Sequence, residues 1–249
     1  MKKIENIKYS DCPECLLDIY LPDSEKFSTF VYFHGGGLEN GDKTDANVLA
    51  EYLVKHNVAV VSANYRMYPK AKYPDYIEDA AKCVCWTIEN IKDYGSCDDI
   101  YVGGSSAGAY ISMLLCFDKK YLSKYNILPT DIAGYIHDAG QPTSHFNVLR
   151  EKGIEPKRVI VDETAPLYHI GAEENYSQMM FIVSDNDMES RLEQTMLTKS
   201  TLKRFGYDAD VKIMHGNHCE YVGKENENGE SILGEIIYSY IDMWKKERM

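Results

Sequence analysis

Ile100-Tyr101-Val102-Gly103-Gly104-Ser105-Ser106-Ala107-Gly108-Ala109-Tyr110 decides how this chain reads. An apolar run ends in Gly-x-Ser-x-Gly, formed by Gly104, Ser106 and Gly108, and a helix-like stretch follows from Ala107. A chain that passes from strand to helix at one residue strains the backbone there and projects that side chain from the turn. Residues two before and two after must be small, because larger side chains would collide. Ser106 therefore reads as a nucleophile at a helix N-terminus, where developing negative charge is favoured. Ser105 competes less well, since no glycines flank it at the two-residue offset. A phosphate loop fits poorly, because Ala109-Tyr110 stands where Lys-Ser/Thr is needed and Gly-x-Gly-x-x-Gly is absent.

Working upstream, Phe30-Val31-Tyr32-Phe33 runs directly into His34-Gly35-Gly36-Gly37. Acyl transfer creates an oxyanion that is best held by backbone N–H groups already aimed at it, and glycines let the chain approach that closely. The N–H groups of Gly36, Gly37 and Ala107 are the expected donors. Downstream, a base is expected after the last strand, where Val211 to Met214 leads into His215-Gly216-Asn217-His218. His218 is preferred because it lies further into the loop, and His215 is the alternative. The acid is expected after the preceding strand, Met179 to Val183, with Asp187 preferred on loop length and Asp185 as the alternative. Ser106, Asp187 and His218 then stand in one known chain order for a serine triad. A metal site of His215, His218, Asp185 and Asp187 is the weaker reading, since the histidines fall on a loop and no further ligand cluster accompanies them. No cofactor is called for.

Short apolar runs alternate with longer amphipathic ones, the pattern of an α/β fold with a mostly parallel sheet flanked by helices. Strands are expected at 16–21, 29–33, 59–63, 100–103, 132–136, 179–183 and 210–214, and helices at 45–56, 75–94, 107–117, 191–205 and 231–246. In the second helix Ile77, Ala80, Ala81, Val84, Trp86, Ile88 and Ile91 fall near a 3.6-residue stripe. Residues 138–178 break the rhythm. A segment of that length inside a compact domain is more often a functional insertion than a bare loop, and a small cap is expected within a single domain spanning 1–249.

The chain has 249 residues and a formal net charge of −12, which argues against nucleic acid because phosphate backbones are bound through clustered Lys and Arg. No apolar run is long enough to span a membrane and no secretory signal opens the sequence, so a cytoplasmic location without membrane partners is expected. The seven cysteines read as reduced thiols, Cys12-Pro13-Glu14-Cys15 included. The 20 tyrosines would suit a sugar-binding pocket, or equally a core and surface.

Together these residues resemble the hormone-sensitive-lipase-like and acetyl-esterase branches of the α/β-hydrolase superfamily. The likeness runs through His34 to Gly37, Asn64-Tyr65-Arg66-Met67-Tyr68-Pro69, Tyr73-Pro74, Glu78-Asp79-Ala80, the Ser106 turn, Ser184 to Met188 and His218. It implies hydrolysis of short-chain, acetyl-type esters through an acyl-enzyme without a cofactor, with Arg66 and Asp79 as structural partners. His34 comes too early for the N-terminal cap of larger members. The shorter build is similar to esterases that deacylate sugars or plant polysaccharides and to the kynurenine-formamidase-like group. A small-molecule or acylated-sugar ester is the expected partner. An amide hydrolase on the same triad and a non-catalytic binding protein are the alternatives; oligomeric state is not legible.

Overall fold

Eight strands form one sheet in the computed structural model, which describes residues 1–248. They are β1 (Lys2–Lys8), β2 (Leu16–Leu21), β3 (Lys26–Phe33), β4 (Val58–Ala63), β5 (Ser96–Ser105), β6 (Gly134–Asp138), β7 (Gln178–Asn186) and β8 (Asp210–Asn217). Their order across the sheet is β1-β2-β4-β3-β5-β6-β7-β8. Every pair from β4 to β8 is parallel, whereas β2 pairs antiparallel with β4 and β1 with β2. The helices are α1 (Asn47–Lys55), α2 (Asp75–Asn90), α3 (Ala107–Phe117), α4 (Lys120–Ser123), α5 (Phe146–Glu151), α6 (Arg191–Arg204) and α7 (Ile232–Arg248).

Strand periodicity divides the core into two layers. Phe30 and Tyr32 point to the layer that holds α1 and α7, while Val31 and Phe33 point to the layer that holds α2 and α3. A strand buried on both faces must be apolar throughout, which is why β3 and β4 read as continuous hydrophobic runs. In α2 the expected stripe is the buried one: Ile77, Ala80, Ala81 and Val84 are all covered. Eight tyrosines, among them Tyr20, Tyr65, Tyr110 and Tyr135, are fully buried. The tyrosine-rich composition is therefore largely a core property.

The expected elements are all present; the short helices α4 and α5 are added, and so is β1. Its sequence, Lys2-Lys3-Ile4-Glu5-Asn6-Ile7-Lys8, conceals the alternation because a bulge between Ile4 and Ile7, with Asn6 at φ 59°, shifts the register by one residue. The helix expected from 45 begins as a 3-10 turn, Lys43–Ala46, capped by the Asp42 carboxylate, before α1 takes over. That expected over 75–94 stays α-helical only to Asn90 and ends in a 3-10 turn. The strand expected at 132 starts at Gly134, because Pro129–Asp131 forms a 3-10 turn just before it. Gly206, at φ 89°, closes α6 in the left-handed region as its position suggests. Among the described residues no helix is long and apolar enough to cross a membrane.

Parallel strands carry their ligand sites beyond their C-terminal ends. Here β3, β5, β6, β7 and β8 all deliver those ends to one edge of the sheet. Arg66, just after β4, helps to fix α2 behind that edge. Its Nε and Nη2 donate to the two carboxylate oxygens of Asp79 at 2.7 and 2.8 Å, and Asp79 is fully buried. Removing Asp79 leaves the partly buried Arg66 with only Asp75, at 3.9 Å, as a carboxylate partner. Asp79→Asn should therefore lower the unfolding free energy by about 3 kcal/mol in urea titration; a loss below about 1 kcal/mol would show that the pair contributes little.

Candidate active site

Ser106 joins β5 to α3 with φ 53° and ψ −112°, a backbone conformation that L-residues rarely adopt. Gly104 and Gly108 make the turn possible. A Cβ on Gly104 would stand 2.5 Å from the Phe33 carbonyl oxygen, and one on Gly108 would overlap the same atom. The Ser106 N–H donates to the Asp138 carbonyl at 2.7 Å, tying the turn to the end of β6.

The other expected side chains converge on this hydroxyl. His218 follows β8, and its Nε2 lies 2.8 Å from Ser106 Oγ. Its Nδ1 lies 2.5 Å from Asp187 Oδ1, and that carboxylate is almost wholly buried. Burial pushes the Asp187 carboxyl up, but bonding to His218 and the N–H groups of Met188 and Ser184 outweighs it and holds the group below its usual value. A charged acid here keeps the imidazole in the tautomer with its proton on Nδ1, leaving Nε2 free to accept one.

Asp185 and His215 form a second pair, Nδ1 to Oδ2 at 2.5 Å, on an almost fully exposed imidazole. That pair does not reach Ser106, and the two strand ends thus separate the preferred residues from their alternatives. Expected donors Gly36 and Gly37, at φ 104° and 66°, line a cavity of about 570 Å³ with Ser106 and His218. Ala107 is buried at the first turn of α3, behind that lining. His34 belongs to the scaffold: its buried ring stacks on Tyr65 at 4.5 Å, and Tyr65 Oη donates to the His34 carbonyl at 2.9 Å. Segment 138–178 reaches the site through Phe146, which lines the cavity, and Asn147, which donates to the Gly37 carbonyl. His145 and His169 stay outside the cavity lining; His145 caps α5 instead.

One group lay outside the expectation. Beneath Ser106, Tyr32 Oη donates to Ser105 Oγ at 3.0 Å, Ser105 Oγ donates to Asp138 Oδ2 at 2.5 Å, and Tyr221 Oη donates to Asp138 Oδ1. The chain of bonds ties β3, the serine turn, the end of β6 and the loop carrying His218. A single acid closing the apolar strand Gly134-Tyr135-Ile136-His137-Asp138 was its sequence signal.

A BD-FAE sequence profile matches residues 17–153, more than half of the chain. The chain belongs to the BD-FAE family. This BD-FAE chain is also 35% identical over 96 residues to esterase LipI of Mycobacterium tuberculosis, a stretch covering 38% of this chain and 30% of that one. It spans 30% or less of the length of the curated relatives it matches. Esterase B from Lactobacillus rhamnosis superposes with a TM-score of 0.81 at 16% identity, over 99% of this chain and 87% of that one. A truncated carbohydrate esterase from gut microbiota superposes with a TM-score of 0.77 at 16% identity, over 99% and 97%. The BD-FAE chain has the α/β-hydrolase fold of these esterases.

Burial pushes the Asp138 carboxyl up to about 6, against the opposing pull of the Ser105 and Tyr221 hydroxyls. The native state thus holds this proton more tightly than the unfolded chain, where the group titrates near ~4. The resulting stabilisation is complete below that lower pKa and is lost as pH rises through about 6. Unfolding of the BD-FAE chain and its Asp138→Asn variant across that range should show the wild type losing up to about 3 kcal/mol relative to the variant. A difference independent of pH would place the Asp138 titration back at the ordinary carboxylate value.

Proposed function

We propose that this protein is a serine carboxylesterase that hydrolyses short-chain acyl esters through an acyl-enzyme on Ser106. The observation that carries the reading is the 2.8 Å approach of Ser106 Oγ to an imidazole whose other nitrogen is bound at 2.5 Å by a buried carboxylate. Ser106 Oγ attacks the ester carbonyl while His218 Nε2 takes its proton. The oxyanion is held by the N–H groups of Gly36, Gly37 and Ala107, and Asp187 stabilises the imidazolium. The alkoxide leaves with the proton from His218. Water then attacks the acyl-enzyme by the same route and returns the free acid.

Two features support a short acyl group. Phe146, Met188 and Val222 give the cavity apolar walls within about 570 Å³. Phe146 also stands close over the glycine loop, with its Cζ 3.2 Å from where a Gly37 Cβ would lie. On this reading 138–178 acts as a small cap inside a single domain, and Phe146 is its contact with the acyl chain. Likeness in fold to a protein named a carbohydrate esterase supports acylated sugars as substrates.

A p-nitrophenyl ester series from acetate to decanoate tests the reading. Wild type should turn over acetate and butyrate, and Ser106→Ala should lose about 10⁴-fold or more in kcat. Equal turnover by both proteins would remove Ser106 from the mechanism. Phe146→Ala should raise kcat/KM for decanoate relative to acetate by about tenfold. An unchanged ratio would place the acyl chain elsewhere in the cavity.

A further inference from the structure

A second cavity, of about 450 Å³, lies against the one that holds the triad, and Phe146 and Met188 belong to the walls of both. Its lining carries three cations, Lys157, Arg158 and Arg191, against one acid, Glu189. This local excess stands out on a chain of net charge −12. The cavity bounded by Lys92, Asp98, Asp99 and Asp131 has the opposite balance.

None of the three cations has a carboxylate at ion-pair distance, although the charge of nearby Asp187 is felt by Arg191. Arg191 is 4% exposed. Its guanidinium donates to the Ala139 carbonyl and approaches Gln141 Oε1 at 3.5 Å and Met188 Sδ at 3.8 Å. None of these neighbours carries charge, and a buried cation is normally paired. Neither the Lys157 ammonium nor the Arg158 guanidinium, both exposed, makes an ion pair among the described residues, although Glu155 accepts from the Lys157 backbone N–H at 3.3 Å. Other cations of the same insertion are paired: Arg150 with Glu39 at 2.6 Å and Lys152 with Asp162 at 3.2 Å. A further positive contribution comes from the 14-residue helix α6, whose first residues line the cavity. Ser190 precedes it at φ 64° and supplies no side-chain cap. An anion at that end would meet both the helix dipole and the guanidinium.

We infer that this cavity is an anion subsite of the ester site, and that the preferred substrates are esters bearing a carboxylate on their acyl or alcohol half. The inference rests on the esterase reading above. One negative charge suits the site better than the double charge of a phosphate monoester, because Glu189 stands in the same wall. Arg158 offers forked donors that match a carboxylate, and Arg191, whose Nη1 and Nη2 already have partners, adds positive charge. Phe146 and Met188 lie between the reacting carbonyl and the anion, so the carboxylate must be separated from the ester by a short spacer.

The test compares kcat/KM for matched pairs at low ionic strength. In the acyl arm, mono-p-nitrophenyl adipate is set against its neutral methyl ester, with p-nitrophenol release as the readout. In the alcohol arm, 4-acetoxyphenylacetate is set against the corresponding amide. Wild type should favour the anion by about tenfold or more in one arm, mainly through KM, and the preference should shrink as salt is raised. Lys157→Glu combined with Arg158→Glu should abolish or reverse that anion-to-neutral ratio. Ratios near one in both arms, with neutral esters turned over, would overturn the subsite and leave the esterase intact. Failure of the wild type to hydrolyse any of the four compounds would overturn both.

Discussion

The main chain at Phe33 leaves no room for a carbon atom on Gly104 or Gly108, and the geometry of the site depends on that contact. Two parallel strands, β3 and β5, end side by side, and the chain leaving β5 must turn under the chain leaving β3. Glycines allow the approach, and the residue between them takes the left-handed backbone that aims Ser106 away from the sheet. The glycine loop that follows β3 is held over the same serine: a Cβ on Gly35 would lie 3.3 Å from that of Ser106. Ser106 and the proposed oxyanion donors are thus fixed by one steric relation between neighbouring strands.

Two carboxylates near Ser106 illustrate how surroundings decide behaviour. Asp187 accepts from two backbone N–H groups and from His218, which outweighs its burial and keeps it charged. Asp138 has only hydroxyl donors in a fully buried position, so burial prevails and its proton is held more tightly. The first is suited to balancing an imidazolium. The second is suited to clamping the serine turn to the loop that carries Tyr221 and His218.

How much of this was legible followed from how local each signal is. The Ser106 turn and the glycine loop were legible because a steric requirement leaves glycines at fixed spacing. Asp187 and His218 were legible only through strand counting, and each kept a rival two or three residues away. Strand-end geometry sets the two pairs apart, since His215 points into solvent with Asp185 while His218 turns inward beside Ser106. Tyr32, Ser105, Asp138 and Tyr221 come from four separate elements, and nothing in their spacing announces a network. β1 stayed hidden because a bulge removes its period of two. The unpaired cations beside the site escaped notice because charge pairing is a property of neighbours in space.

The strand that delivers His218 is also, with β1 at the opposite edge, one of the two least supported in the sheet. β8 lies at the sheet's outer edge, bonded on one side only to β7, and most of its residues are exposed or partly so. β5, which delivers Ser106, sits between two parallel neighbours and is covered at its C-terminal end. Free energies of local opening follow such differences in packing, and an edge strand opens long before the interior does. Hydrogen exchange along β8 would then outrun that of β5. As temperature rises, the imidazole departs from a serine still held in its native turn, and the proposed activity fades while the sheet remains folded.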